Sequence, residues 1–107
     1  MAIRAALAFR DDRAATRDEV HYRTRATGPD KRPLELLLVN ISAQGLMARC
    51  DAPLAPGDRI AVTLPGLGAV PAEVRWALGG RIGCELASKI AVADYYDLLA
   101  ALLKGKG

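Results

Sequence analysis

Between Glu19 and Leu86 apolar residues recur at every second position in short runs, and each run stops at a cluster rich in glycine, proline or aspartate. That period of two belongs to half-buried β-strands and is incompatible with helix, whose faces repeat every 3.6 residues. Val20, Tyr22, Thr24 and Ala26 share one face against Glu19, His21, Arg23 and Arg25, and Gly28-Pro29-Asp30 ends the run. Leu34 to Val39 is almost wholly apolar, which predicts a more fully buried strand that delivers Asn40 to a turn. A third strand spans Gly45 to Cys50, and Pro53 to Asp58 forms a turn with Pro56-Gly57-Asp58 at its tip. Ile60, Val62 and Leu64 form the apolar side of the fourth strand, closed by Pro65-Gly66-Leu67-Gly68. Val70, Ala72, Val74, Trp76 and Leu78 alternate across Glu73 and Arg75, so Trp76 is expected in the core. Gly79-Gly80 predicts a two-residue hairpin returning through Ile82, Cys84 and Leu86. Six short strands with turns between them imply an all-β chain, a small antiparallel barrel or sandwich.

The two ends depart from this pattern. Tyr95, Leu98, Leu99 and Leu102 recur at helical spacing from about Val92 to Lys104, an amphipathic C-terminal helix that caps or leans on the strands. Whether Tyr95, Tyr96 and Leu99 face the core or a second copy is open from spacing alone. Residues 1–12 read as a flexible arm and residues 13–104 as a single domain, since 107 residues suffice for one modest core. Residues 1–32 carry eight Arg or Lys against five Asp or Glu, whereas residues 33–107 carry seven of each, so the whole net charge of +3 sits at the beginning of the chain. An anionic partner near that end is the expectation. No apolar run is long enough for a signal peptide or a membrane span, which predicts a cytoplasmic protein without membrane insertion. Cys50 and Cys84 are too far apart for a metal knuckle and are expected to be buried, free thiols. His21, the only histidine, falls on an exposed strand face and has no metal-ligand spacing around it.

Two short motifs carry the chemistry: Arg13-Ala-Ala-Thr-Arg17, then Asn40-Ile-Ser42-Ala-Gln-Gly45. The second is the rarer, because the chain has only two serines. In this order and strand context the pair resembles the PilZ family signature, RxxxR followed by [DN]xSxxG, and the resemblance runs from about Arg10 to Leu103. Weaker echoes are Gly57-Asp58, Val74-Arg-Trp76 and Gly83-Cys-Glu-Leu86. The resemblance implies a six-stranded antiparallel β-barrel with a C-terminal α-helix. It also implies a receptor for cyclic di-GMP that passes the signal to an unidentified downstream protein, with no catalysis and no cofactor beyond that ligand. Arg13, Arg17, Asn40, Ser42 and Gly45 are then the ligand-binding residues, with Arg10 beside them.

The residue types suit this ligand. Arginine can fork onto a phosphate or a guanine edge and can stack on a base. Asn40 can accept from guanine N1–H and N2–H, Ser42 adds a hydroxyl, and Gly45 leaves room for a base. Ordering a loose arm costs about 1–2 kcal/mol per residue, so only a few residues around Arg10 to Asp18 are expected to settle on the ligand, and that settling is the expected switch. Asp11, Asp12, Asp18 and Glu19 flank the arginines, and either pairing with them in the free state or repelling phosphate weakens binding. In the family that the motifs resemble, the residue just before RxxxR affects ligand stoichiometry, and the resemblance with an acidic Asp12 there implies one ligand rather than an intercalated pair. A module of the same fold that has lost ligand binding is the alternative. A nucleic-acid polymer is disfavoured by the few aromatics and the neutral remainder of the chain. No paired carboxylates, metal cluster or nucleophile–base pair is visible that would make an enzyme.

Overall fold

The computed structural model describes residues 17–105. Among them are six strands and one helix: β1 (Asp18–Thr27), β2 (Pro33–Ile41), β3 (Gly45–Arg49), β4 (Arg59–Leu64), β5 (Gly68–Leu78), β6 (Arg81–Leu86) and α1 (Val92–Lys104). All neighbours pair antiparallel, and the order β1-β2-β3-β6-β5-β4 closes on itself as a barrel. The closing seam between β1 and β4 is short, pairing Ala26 with Val62 and Thr27 with Ala61. The Thr24 hydroxyl lengthens it by donating to the Thr63 carbonyl at 2.6 Å. At Gly79 and Gly80 φ is +61° and +78°, the two left-handed residues of a type I′ hairpin that a glycine pair adopts without strain.

A barrel of six strands has an interior only wide enough for side chains. Leu38, Ile41, Leu46, Val62, Val74 and Ile82 fill it, each essentially inaccessible. Cys84 is buried, and Cys50, one residue beyond the end of β3, is buried with it; both are free. The apolar run in β2 is not buried on both sides: Leu36 and Leu38 point inward, whereas Leu34, Leu37 and Val39 are only half-buried. The barrel wall is one sheet thick, so its outer face meets solvent wherever no other element covers it.

The larger departure concerns Trp76. Along β5 the register shifts between Val74, opposite Cys84, and Trp76, opposite Gly83, leaving Arg75 as an extra residue. Such a bulge interrupts the two-residue period and turns the following side chains to the other face. Trp76 is therefore on the outside and 40% exposed rather than in the core, and Leu78 beyond it is 80% exposed. Two further register shifts occur in the same part of the wall, between Glu19 and Tyr22 in β1 and between Leu38 and Asn40 in β2.

Helix α1 lays Tyr95, Leu98 and Leu102 against the barrel and leaves Val92, Tyr96 and Leu103 exposed. Tyr95 is thus a core residue and its neighbour Tyr96 is not. The Tyr95 hydroxyl donates to Asp18 Oδ2 at 2.6 Å, with the Ile41 carbonyl also in reach at 3.0 Å. Asp94 in the first turn and Lys104 in the last suit the helix dipole. No helix among the described residues is long and apolar enough to cross a membrane. The expected arm, residues 1–12, lies outside the described residues.

Candidate functional site

The link between β2 and β3 is held by a single serine. The Ser42 hydroxyl is 4% exposed and accepts from the backbone N–H of Gln44 and of Gly45, both at 3.2 Å. The Ser42 N–H in turn donates to the Gly45 carbonyl at 2.8 Å, closing a tight turn. Serine and asparagine stabilise such turns because a short polar side chain can satisfy nearby backbone groups. From outside, Leu86 N–H donates to the Gln44 carbonyl and Ile90 N–H to the Ala43 carbonyl, both at 2.8 Å. The loop is thereby pinned to the end of β6 and to the segment that joins β6 to α1. Gly45 is required by proximity: a Cβ there would stand 2.6 Å from the Cys84 carbonyl oxygen of the paired strand.

Beside this turn lies an open cleft of about 480 Å³. Its wall is formed by Arg17, Ser42, Gln44 and Gly45 on one side and by Arg75, Trp76, Gly83 and Glu85 on the other. The Trp76 indole lies across Gly83, where any Cβ would overlap the ring. Glycine at that position lets the indole lie down against the sheet and still expose part of its surface to the cleft. Arg75, the bulge residue, donates from Nη1 to Glu73 Oε2, and its Nη2 forms an ion pair with Glu85 Oε1, each at 3.2 Å. Both carboxylates and the guanidinium are partly exposed, so this fork fixes direction more than it stabilises the fold.

The expected binding residues divide into three groups. Arg17, Ser42 and Gly45 line the cleft. Asn40 stands behind it: its Oδ1 accepts from Arg17 Nη1 at 3.3 Å, and its Nδ2 approaches Met47 Sδ at 3.7 Å. Its side chain therefore holds the arginine. Arg10 and Arg13 lie outside the described residues, as do Asp11 and Asp12. Of the two acidic residues after Arg17, Asp18 is occupied by the Tyr95 hydroxyl, and Glu19 is exposed at the start of β1.

Sequence reasoning missed Gln44, Arg75, Trp76, Gly83 and Glu85 as members of the site. The segments holding the last four were noticed as motif echoes, but strict alternation assigned Trp76 inward. Among the described residues, no three His, Cys, Asp or Glu side chains come together as a metal site would require. Cys84 borders the cleft, yet burial, with the nearby Cys50 as a smaller cause, raises its thiol pKa from 9.0 to about 11, so it offers no thiolate nucleophile at neutral pH. The cleft presents two guanidinium groups, a half-exposed indole, a carboxylate and a backbone turn that leaves space. No curated protein matches the chain. Comparison with family models matches residues 11–105 to the PilZ domain, and with nearly the whole chain covered, this protein belongs to the PilZ domain family.

Proposed function

We infer that this protein is a single-domain receptor and adaptor for cyclic di-GMP in bacterial second-messenger signalling, acting in the cytoplasm and catalysing nothing. The observation that carries the reading is the cleft itself, where Arg17, the Ser42–Gly45 turn and the half-exposed Trp76 indole converge although they come from distant parts of the chain. A guanine stacks on the indole, gaining about 1–3 kcal/mol. Arg17, aimed by Asn40, meets a phosphate or a guanine edge through charge-assisted hydrogen bonds. Ser42 and Gly45 shape the floor, the first by holding the turn and the second by adding no side chain. Arg13 and Arg10 complete the grip from the preceding segment, and their settling on the ligand alters the surface offered to a downstream protein.

Calorimetric titration with cyclic di-GMP, alongside Arg13→Ala, Arg17→Ala and a GTP control, tests the reading. Micromolar or tighter binding that is lost in both variants supports it. An absence of heat and of any melting shift up to millimolar ligand sinks it. The second reading, a PilZ module that engages a partner without ligand, is favoured by one observation: Val92, Tyr96 and Leu103 form an exposed apolar stripe along α1. It predicts that replacing Arg13 and Arg17 leaves partner binding unchanged.

A further inference from the structure

We propose that Glu85 reads the Watson–Crick edge of the bound guanine and is the residue that makes the cleft selective for guanine over adenine. The proposal rests on the receptor reading above and deepens it. Of the described side chains lining the cleft, Ser42, Gln44 and Glu85 carry oxygen acceptors, and among them only the Glu85 carboxylate is charged and offers two equivalent oxygens to a pair of donors. Ser42 is committed to its turn, and Asn40, behind the wall, already accepts from Arg17. A guanine presents two adjacent donors, N1–H and N2–H, which a carboxylate can accept side by side.

Position supports this assignment. Gly83 and Glu85 are two apart on β6 and share its outer face, about 6.6 Å from one another. A base lying on the indole over Gly83 therefore extends its edge toward Glu85, on the side where β6 pairs with Gly45. Arg75 Nη2 holds one carboxylate oxygen at 3.2 Å and orients the group, and the remaining lone pairs stay open. Charge points the same way. A carboxylate in the wall of a site for a ligand with two phosphodiester charges repels it unless it meets the ligand's donors, and the guanine edge is where those donors are concentrated. Adenine turns an unprotonated N1 acceptor toward the same carboxylate, which is repulsive.

The test measures dissociation constants by calorimetry for cyclic di-GMP, its inosine counterpart lacking the 2-amino group, and its adenine counterpart. These are run on the wild type, Glu85→Gln and Glu73→Gln. Glu73→Gln removes the other carboxylate that holds Arg75 but no group from the cleft wall. The wild type is expected to prefer the guanine ligand over the inosine one by roughly tenfold, the loss of one charge-assisted hydrogen bond. Glu85→Gln should lose at least that factor for cyclic di-GMP and narrow the guanine–inosine gap, and Glu73→Gln should keep the gap. If the gap persists in Glu85→Gln, or that variant binds more tightly, the proposal is overturned and the receptor reading stands. A wild type that binds none of the three ligands overturns both. Glu85 is well exposed, so equal melting temperatures will verify that Glu85→Gln is folded.

Discussion

Two glycines in the cleft wall show how much a single residue's surroundings decide. At Gly45 a Cβ would press on the Cys84 backbone carbonyl, which cannot turn away without parting β3 from β6. Gly45→Ala is therefore expected to cost about 1–3 kcal/mol of stability, read as a lowered denaturation midpoint with unchanged slope. At Gly83 the obstacle is the Trp76 indole, a half-exposed side chain that can swing into solvent. Gly83→Ala should leave stability nearly intact while shifting the tryptophan fluorescence to the red. It should also weaken cyclic di-GMP, as Trp76→Ala should by about 1–3 kcal/mol. A blue shift, or stability losses of the same size in both glycine variants, would contradict this account. Trp76 is the chain's only tryptophan, so the fluorescence reports on the cleft alone.

At the scale of elements, strands, turns and helix were legible because each obeys a local rule. Alternation marked β1, β4, β5 and β6, an apolar run marked β2 with β3 resuming after its turn, the glycine pair at 79 and 80 marked the hairpin, and the spacing of Tyr95, Leu98 and Leu102 marked α1, expected from about Val92 to Lys104 and found at those bounds. Of the site, the motif residues around the Ser42 turn could be named, but the opposite wall could not. An inserted residue such as Arg75 leaves no trace in composition, and its effect appears only in pairing with β6, at Val74 with Cys84 and Trp76 with Gly83. The half-burial of Leu37 and Val39 was hidden for a similar reason, since apolar content does not tell which face of a one-layer wall is covered. How elements are tied together was equally invisible: Tyr95 reaches 77 residues back in the chain to Asp18. Tyr95→Phe removes the donor for a part-buried carboxylate and should cost about 1–3 kcal/mol, lowering the thermal midpoint. Because Asp18 adjoins Arg17, the same change should loosen the Arg17 end of the cleft. A Phe variant as stable as the wild type would show that the tether contributes nothing.

For the molecule as a whole, the buried protons set an alkaline limit on the fold. Burial first, and Cys50 second, raise the Cys84 pKa from 9.0 to about 11. Burial first, then the hydrogen bond to and the charge of Asp18, raise that of Tyr95 above its ordinary 10.0. In both cases the folded state holds its proton more tightly than the unfolded chain does. Their contribution to stability is therefore fully present well below pH 9.0, where both states keep the proton, and is lost as pH climbs through the folded-state values. Between the unfolded and folded pKa each group removes up to about 1.4 kcal/mol per pH unit. The melting temperature should accordingly be flat around neutral pH and fall above pH 9. Variants separate the two groups: Cys84→Ala should flatten the first part of that fall, and Tyr95→Phe the part beginning near pH 10. Native Cys84 should also react slowly with an exposed-thiol reagent at pH 8 and quickly once the barrel is unfolded. An alkaline profile with the same slope in the wild type and both variants would place the limit elsewhere, in groups on the surface of the barrel.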